Sequence, residues 1–366
     1  MTLSTTIIRA AAASVLAGAT LGAAAQVPAG YPADYQSIVD AAKKEGKLVI
    51  YAATDSKAAQ PLIKDFNALY PGITVEYNDM NSTEVYNRFI SESAAGGNTA
   101  DIMWSSAMDL QMRLASDGYA LQYKSQETKG LPAWAIWNDT AYGTTFEPAA
   151  IVYNKRLVDP KEVPQTHDEF AKLITAEKFK DKVTTYDIEK SGVGFMFMTQ
   201  DAREHPRFLA LEHAFGAARV RVQSSTGTML ERISSGENLI GYNVLGSYAL
   251  VRAKTDLSLG VVLPKDYTLI LSRVQFINKA AKNLNAAKLW MDYLLSHRGQ
   301  TIIANDSKLF AIRADVKGET TSSDLIKIIG ANNVKPVPVS PIVLQFLGPA
   351  KRMAFLKQWK ETAGKK

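Results

Sequence analysis

Along the chain, apolar positions alternate between helical spacing and short unbroken runs, with glycine, proline, serine and threonine between them. Ile38, Val39, Ala41 and Ala42 share one face of a helix expected over 34–45 and stopped by Gly46, and Leu48-Val49-Ile50-Tyr51 then reads as a buried strand. Leu62, Ile63, Phe66 and Leu69 recur at helical spacing up to Pro71-Gly72. Proline lacks an N–H and is tolerated near a first helical turn, so Pro61 places this helix's start close by and leaves 54–58 as a strand-to-helix turn. A strand over 73–77, an amphipathic helix over 85–93, a strand over 100–104 and a helix over 108–117 complete a βαβαβ pattern, which predicts a parallel sheet.

After a strand-like stretch over 142–154, a second alternating set begins at Pro164. It comprises a helix over 167–176, a strand near 182–186, an interrupted helix over 194–217, a helix over 228–234 and a strand over 239–244. Strands over 257–263 and 269–278 return the chain to the first set, and Ala287, Leu289, Trp290, Tyr293 and Leu294 mark one amphipathic helix over 285–303. At 366 residues the chain exceeds the size at which one core keeps growing. The expected architecture is α/β with two lobes: 26–147 with 268–314 in the first, 148–267 in the second, and 315–366 as a helical tail packing on them.

Hydrophobic residues make up 46% and charged residues 21%, which excludes a disordered chain and a multi-span membrane protein. The 42 basic and 36 acidic residues give +6 without a dense basic run, so no nucleic-acid partner is expected and the balance suits an anionic ligand. The absence of cysteine excludes disulfides, thiol nucleophiles, iron–sulfur clusters, cysteine zinc sites and a lipid-modified N-terminal cysteine. Residues 1–25 hold Arg9, no acidic residue and a small apolar run ending in Ala23-Ala24-Ala25, the pattern of a secretory signal cleaved after Ala25. The mature chain is therefore expected in the periplasm, as a monomer. Nucleophile-elbow, zincin, P-loop and dinucleotide signatures are missing. His167, His205, His213 and His297 read as surface residues in charge-rich helices. No enzymatic activity and no cofactor are expected, and a secreted hydrolase of another motif class is the alternative of a different kind.

In open α/β sheets, ligands sit beyond the carboxyl ends of strands, where helix N-termini present unpaired N–H groups. Four turns meet that rule: Thr54-Asp55-Ser56, Ser105-Ser106, the DIEKSGVG stretch with Asp187, Ser191 and Gly192, and Ser225-Thr226. Their hydroxyl and N–H groups suit phosphate, sulfate or carboxylate oxygens, and the same residue types also serve as ordinary helix caps. Tyr242 and Tyr248 flank another strand-to-helix turn and are expected at the cleft. Their phenolates would suit a hard cation such as Fe³⁺, while aromatics in such places also fill cores. The preferred reading holds no metal.

The segments LVIYAATD, PGITVEYND, ADIMWSSAMD, IVYNKRL, GENLIGYNVLGSY, NAAKLWMDYLLSHRGQ and SKLFAIRAD, in this order behind an export signal, resemble the bacterial extracellular solute-binding proteins of ABC importers, in the ferric-iron-type branch. The resemblance spans nearly all of the mature chain. It implies a periplasmic-binding-protein-like (type II) fold, two lobes closing on a ligand about a hinge, and delivery of that ligand to an inner-membrane ABC permease. Iron binders of that branch carry two adjacent tyrosines at the turn matching 242–248, whereas five residues separate Tyr242 from Tyr248 here. Other members of that branch carry sugar phosphates, phosphoglycerate or aminophosphonates. The resemblance therefore implies a small anionic solute, with ferric iron held by Tyr242 and Tyr248 as the alternative.

Overall fold

The computed structural model describes residues 27–97 and 99–364; the signal expected over 1–25 lies outside them. The first α/β set folds as α1 (Gln36–Glu45), β1 (Lys47–Ala52), α2 (Ser56–Leu69), β2 (Thr74–Asp79), α3 (Ser82–Ala94), β3 (Ile102–Ser105) and α4 (Met108–Ser116), then β4 (Ile136–Trp137) and β5 (Ala141–Gly143). β1 pairs in parallel with β2 and β3, as the βαβ pattern requires. Pro61 lies inside α2, beyond its first turn. Burial of Leu62, Ile63 and Phe66 on the same helix offsets the hydrogen bond that proline removes.

The second set comprises β6 (Glu147–Asn154), α5 (His167–Ile174), β7 (Val183–Tyr186), α6 (Gly192–Glu204), α7 (Phe208–Ala217), β8 (Arg221–Gln223), α8 (Thr226–Ser235), β9 (Ile240–Leu245), α9 (Gly246–Thr255), β10 (Leu259–Val262) and β11 (Thr268–Leu271). There follow β12 (Val274–Ile277), α10 (Leu284–Leu295), α11 (His297–Asn305), α12 (Ser322–Ile329), β13 (Val334–Pro336) and α13 (Pro349–Thr362). Two sheets result, ordered β2-β1-β3-β12-β5-β4 and β13-β11-β6-β9-β7-β8, with β10 also paired to β6.

Three stretches that read as single elements are each two. Residues 142–154 break between β5 and β6, and 269–278 break at Ser272-Arg273, in both cases where the chain changes sheet. Residues 285–303 break at Ser296, whose hydroxyl accepts the Gly299 N–H and caps α11. β11, expected with the first lobe, pairs with β6 and β13 in the second sheet, and β12 alone of the return strands joins the first. Apolarity does not mark these crossings, because the strands on both sides are buried. Apart from Phe146, the residues between them are polar and equally buried: Thr144, Thr145, Ser272 and Arg273.

The tail ties the two halves together. β13 extends the second sheet, the turn Pro341–Phe346 lies against α4 of the first lobe, and α13 lies against α7 of the second. Gly216 permits that last contact, since a Cβ there would sit 2.1 Å from the Thr362 carbonyl oxygen. No helix among the described residues is long and apolar enough to cross a membrane.

Where α3, α4, α6 and the start of α13 meet, a cavity of about 330 Å³ is lined by Asp109, Arg113, Gly192 and Arg352. Asp109 is 2% exposed and accepts the Leu110 N–H at 2.8 Å. Neither arginine reaches it, because Arg113 pairs with Asp117 and Arg352 lies over the Phe195 ring. Burial pushes the Asp109 carboxyl up to about 7. In the unfolded chain it titrates near about 4, so within that window only the folded state holds the proton. The Asp109 contribution to stability therefore falls as pH rises from about 4 to about 7 and levels off above. Asp109→Asn is expected to raise stability in urea by about 1–4 kcal/mol near pH 8 and to change little near pH 4; equal stability of the two proteins near pH 8 would contradict the assignment.

Candidate functional site

The floor of the site is an ion pair at the two sheet crossings. Arg273 and Glu147 are both 0% exposed, with Nε–Oε1 at 2.6 Å and Nη2–Oε2 at 3.1 Å. Arg273 Nη1 also donates to the Ala53 carbonyl (3.0 Å) and Thr54 Oγ1 (2.9 Å), at the carboxyl end of β1. Glu147 accepts from Thr145 Oγ1 (2.8 Å) and from Ser247 Oγ at the start of α9. Tyr248, on α9, sets its ring centroid 5.3 Å from the guanidinium carbon and accepts the Asp55 N–H from the first lobe at 3.4 Å.

Beside this floor, a cavity of about 240 Å³ opens between the carboxyl ends of the two sheets. Asp55, Asp79, Asn81 and Ser106 line it from the first lobe, and Tyr186, Ser191, Ser225, Thr226 and Tyr248 from the second. Six of the expected residues thus come together: Asp55, Ser106, Ser191, Ser225, Thr226 and Tyr248. Across one edge the lobes touch directly. Gly192 N–H donates to Thr83 Oγ1 (3.0 Å), Val193 N–H to Ser82 Oγ (3.2 Å), and Thr83 Oγ1 to the Lys190 carbonyl (2.8 Å).

The other six expected residues stand elsewhere. Thr54 is buried on Arg273, and Ser105 is buried in β3 with its hydroxyl accepting the Ala107 N–H. Ser56 turns its N–H and hydroxyl to Asp79 Oδ2, at 2.7 and 3.1 Å. Asp187 folds back on the N–H groups of Glu189 and Lys190, facing an outer groove of the second lobe. Gly192 is packed against Leu110 and Ala107 at the lobe contact. Tyr242 is 1% exposed in the core of the second lobe rather than lining the cavity.

A β-bulge accounts for Tyr242. Val244 pairs with Ala150 and Gly241 with Val152, so Tyr242 and Asn243 together oppose Ile151. The extra residue lets Asn243 adopt the left-handed φ of 56°, with its amide on Asp201 at 2.6 Å. Face alternation shifts across such a bulge: Tyr242 packs on Phe170 and Phe215 and donates to Asp201 (3.0 Å), while Leu245 and Tyr248 line the cavity. His167 and His205, expected at the surface, are 3% and 6% exposed in the same region. His167 stacks on Tyr267 (3.9 Å) and meets Asp266 at 2.9 Å, because α5 and the end of α6 turn these rings toward the sheet.

The helix ends facing the cavity differ in what remains open. The N-terminus of α2 is occupied by Asp79, that of α3 by an Asn81–Glu84 capping box, and that of α6 by Ser191, Thr83 and Ser82. At α8, Ser225 Oγ accepts the Thr228 N–H, and the N–H groups of Thr226 and Gly227 take no partner among the described residues. Ser106 is 3% exposed, lines the cavity, and its hydroxyl likewise takes none. Asp79, Asn81 and Tyr186 were not expected here. Asp79 closes the strand segment VEYND and Asn81-x-x-Glu84 is a capping-box signature, so both signals were present in the sequence.

Ferric ligation by the two tyrosines requires phenolates that converge. Burial, and next Asp201, hold the Tyr242 phenol well above its ordinary value, and burial pushes Tyr248 up to about 12. Ferric citrate added to the apoprotein is expected to give no visible tyrosinate-to-iron charge-transfer band. A strong band lost in Tyr242→Phe or Tyr248→Phe would establish an iron site.

The family model described as bacterial extracellular solute-binding protein matches residues 61–327. The substrate-binding protein of an ABC transporter from Agrobacterium tumefaciens is 40% identical, with a TM-score of 0.82, covering 87% of this chain and 94% of that one. More distant likenesses share the fold. The periplasmic binding protein AfuA from Actinobacillus pleuropneumoniae, with fructose-6-phosphate bound, is 19% identical, TM-score 0.71, covering 87% and 98%. The apo ferric ion-binding protein A from Pasteurella haemolytica is 15% identical, TM-score 0.68, covering 88% and 99%. No curated protein matches the sequence. The two sheets with a cavity between them are the type II periplasmic-binding-protein arrangement. By its matched sequence and its fold, the chain belongs to the bacterial extracellular solute-binding proteins, the substrate-binding components of ABC transporters, which bind small solutes and work with a membrane permease.

Proposed function

We propose that this chain carries a small anionic solute with a phosphate or phosphonate head, seated at the N-terminus of α8. The observation that supports this most is the set of open donors in the cavity: the N–H groups of Thr226 and Gly227 and the hydroxyl of Ser106, reached from opposite lobes. A helix N-terminus favours negative charge, and charge-assisted hydrogen bonds to phosphoryl oxygens are roughly twice as strong as neutral ones. A cavity of about 240 Å³ holds a small metabolite rather than a polymer. A ligand bonded to both walls favours the closed form over the open one, and that form is what the inner-membrane permease recognises. On this reading the chain is a carrier and no enzyme, released as a monomer into the periplasm by cleavage after Ala25. The jaws are 27–143 with 274–314 on one side and 147–271 on the other, joined by the tail. Ferric iron is the less favoured cargo, because Tyr242 lies in the core.

Calorimetry over sugar phosphates, phosphonates and their unphosphorylated counterparts tests the seat. Phosphorylated compounds are expected to bind, and Ser106→Ala to weaken them about tenfold, the worth of one charge-assisted hydrogen bond. Thr226→Pro removes one open N–H at a first helical position where proline fits, and is expected to weaken them further. Neutral sugars or amino acids binding as tightly as the phosphorylated compounds would refute the proposal.

A further inference from the structure

A further cavity, of about 380 Å³, lies in the first lobe and shares no lining residue with the cleft. The segment leading into α1 forms one side of it, and the ends of α2 and α10 with the start of α11 form the other. Four tyrosines line it, Tyr31, Tyr35, Tyr70 and Tyr293, together with the carboxylates of Glu127 and Asp292. The Tyr31 and Tyr35 rings stand edge to face, 4.8 Å apart at 84°, so two aromatic walls meet nearly at a right angle.

The two carboxylates differ in what balances them. Glu127 accepts from Tyr31 Oη and is matched by Arg313 Nη1, each at 2.7 Å. Asp292 is 1% exposed, and its donors are all neutral: Ser125 Oγ (2.6 Å) and the Gln126 N–H (3.2 Å) on Oδ1, Tyr35 Oη (2.7 Å) and Tyr123 Oη (2.6 Å) on Oδ2. Basic groups nearby are turned to other partners. Arg298, at the rim, is held by both oxygens of Asp65, Lys288, one turn back on α10, rests over the Tyr123 ring, and His297 is exposed. Burial raises the Asp292 carboxyl, and the four donors oppose that rise.

Two donors on each oxygen use up the lone pairs, so Asp292 offers the cavity a negative charge but no free acceptor. A primary ammonium seeks acceptors for three N–H groups and finds none on Asp292. A quaternary ammonium needs none, and aromatic rings attract it as well. Tyr70 is an independent sign of an occupant: it is 4% exposed, lines the cavity, and its hydroxyl takes no partner among the described residues.

We propose that this cavity binds a small quaternary ammonium compound, its cationic head among the tyrosine rings beside Asp292 and its polar end at the Tyr70 hydroxyl. The site is separate from the anion seat in the cleft, and either can exist without the other.

Calorimetry on the mature protein near pH 8, above the ordinary carboxylate range, compares three probes: choline, ethanolamine, and 3,3-dimethylbutanol, which keeps the shape of choline without its charge. Choline is expected to bind about tenfold tighter than either of the others. Asp292→Asn is expected to abolish the margin over 3,3-dimethylbutanol. Tyr31→Ala and Tyr70→Ala leave the Asp292 hydrogen bonds in place, are each expected to weaken choline several-fold, and keep the test open where Asp292→Asn does not fold. Absence of choline binding at millimolar concentration, 3,3-dimethylbutanol binding as tightly as choline, or choline affinity unchanged in both tyrosine variants would each overturn the site.

Discussion

Two residues entirely out of water, Arg273 and Glu147, hold the two sheets in register with the cleft. Each sits where the chain passes from one sheet to the other, and together they reach the end of β1 through Ala53 and Thr54 and the start of α9 through Ser247. Desolvating such a pair is costly, and losing one partner of it commonly costs about 3–5 kcal/mol. Hydrophobic residues of similar volume could fill the space, but could not fix four backbone segments from both lobes at one point. The pair therefore supplies direction: it sets where Asp55 and Tyr248 meet, and with them the floor of the cavity.

Given that floor, the chemistry of the cleft follows from which helix ends are already satisfied. α2, α3 and α6 are closed off by Asp79, Asn81 with Glu84, and the hydroxyls of Ser191, Ser82 and Thr83. α6 thereby serves contact between the lobes, and α8 keeps two N–H groups open at the cavity. A count of serines and threonines near strand ends does not draw this distinction, because a hydroxyl used as a cap and one offered to a ligand are the same residue type.

Much of this was legible in the sequence. The alternation of strand and helix placed β1, β3, α4 and β9 closely, and the rule that ligands gather beyond strand ends selected Asp55, Ser106, Ser191, Ser225, Thr226 and Tyr248. What was not legible depended on partners far away in the chain. Ser56 looked like an anion ligand until Asp79 came to it, and Tyr242 looked cleft-facing until the bulge at Asn243 turned it to Asp201. The sheet crossings were hidden because an apolar run buried in one sheet looks like an apolar run buried in two. Buried polar residues at Thr144, Thr145, Ser272 and Arg273 mark those crossings, and only their partners show it.

The central claim, that a ligand draws two lobes together about the Arg273–Glu147 pair, can be measured as a distance. The chain has no cysteine, so spin labels placed by Lys64→Cys on α2 and Glu231→Cys on α8, both exposed, report one distance across the cleft. With a saturating phosphorylated or phosphonate solute that binds by calorimetry, the account predicts one narrow distribution, shorter than without it. It also predicts that Glu147→Gln broadens the distribution and blunts the response. A distribution identical with and without bound solute, or one that narrows as fully in Glu147→Gln, would contradict it.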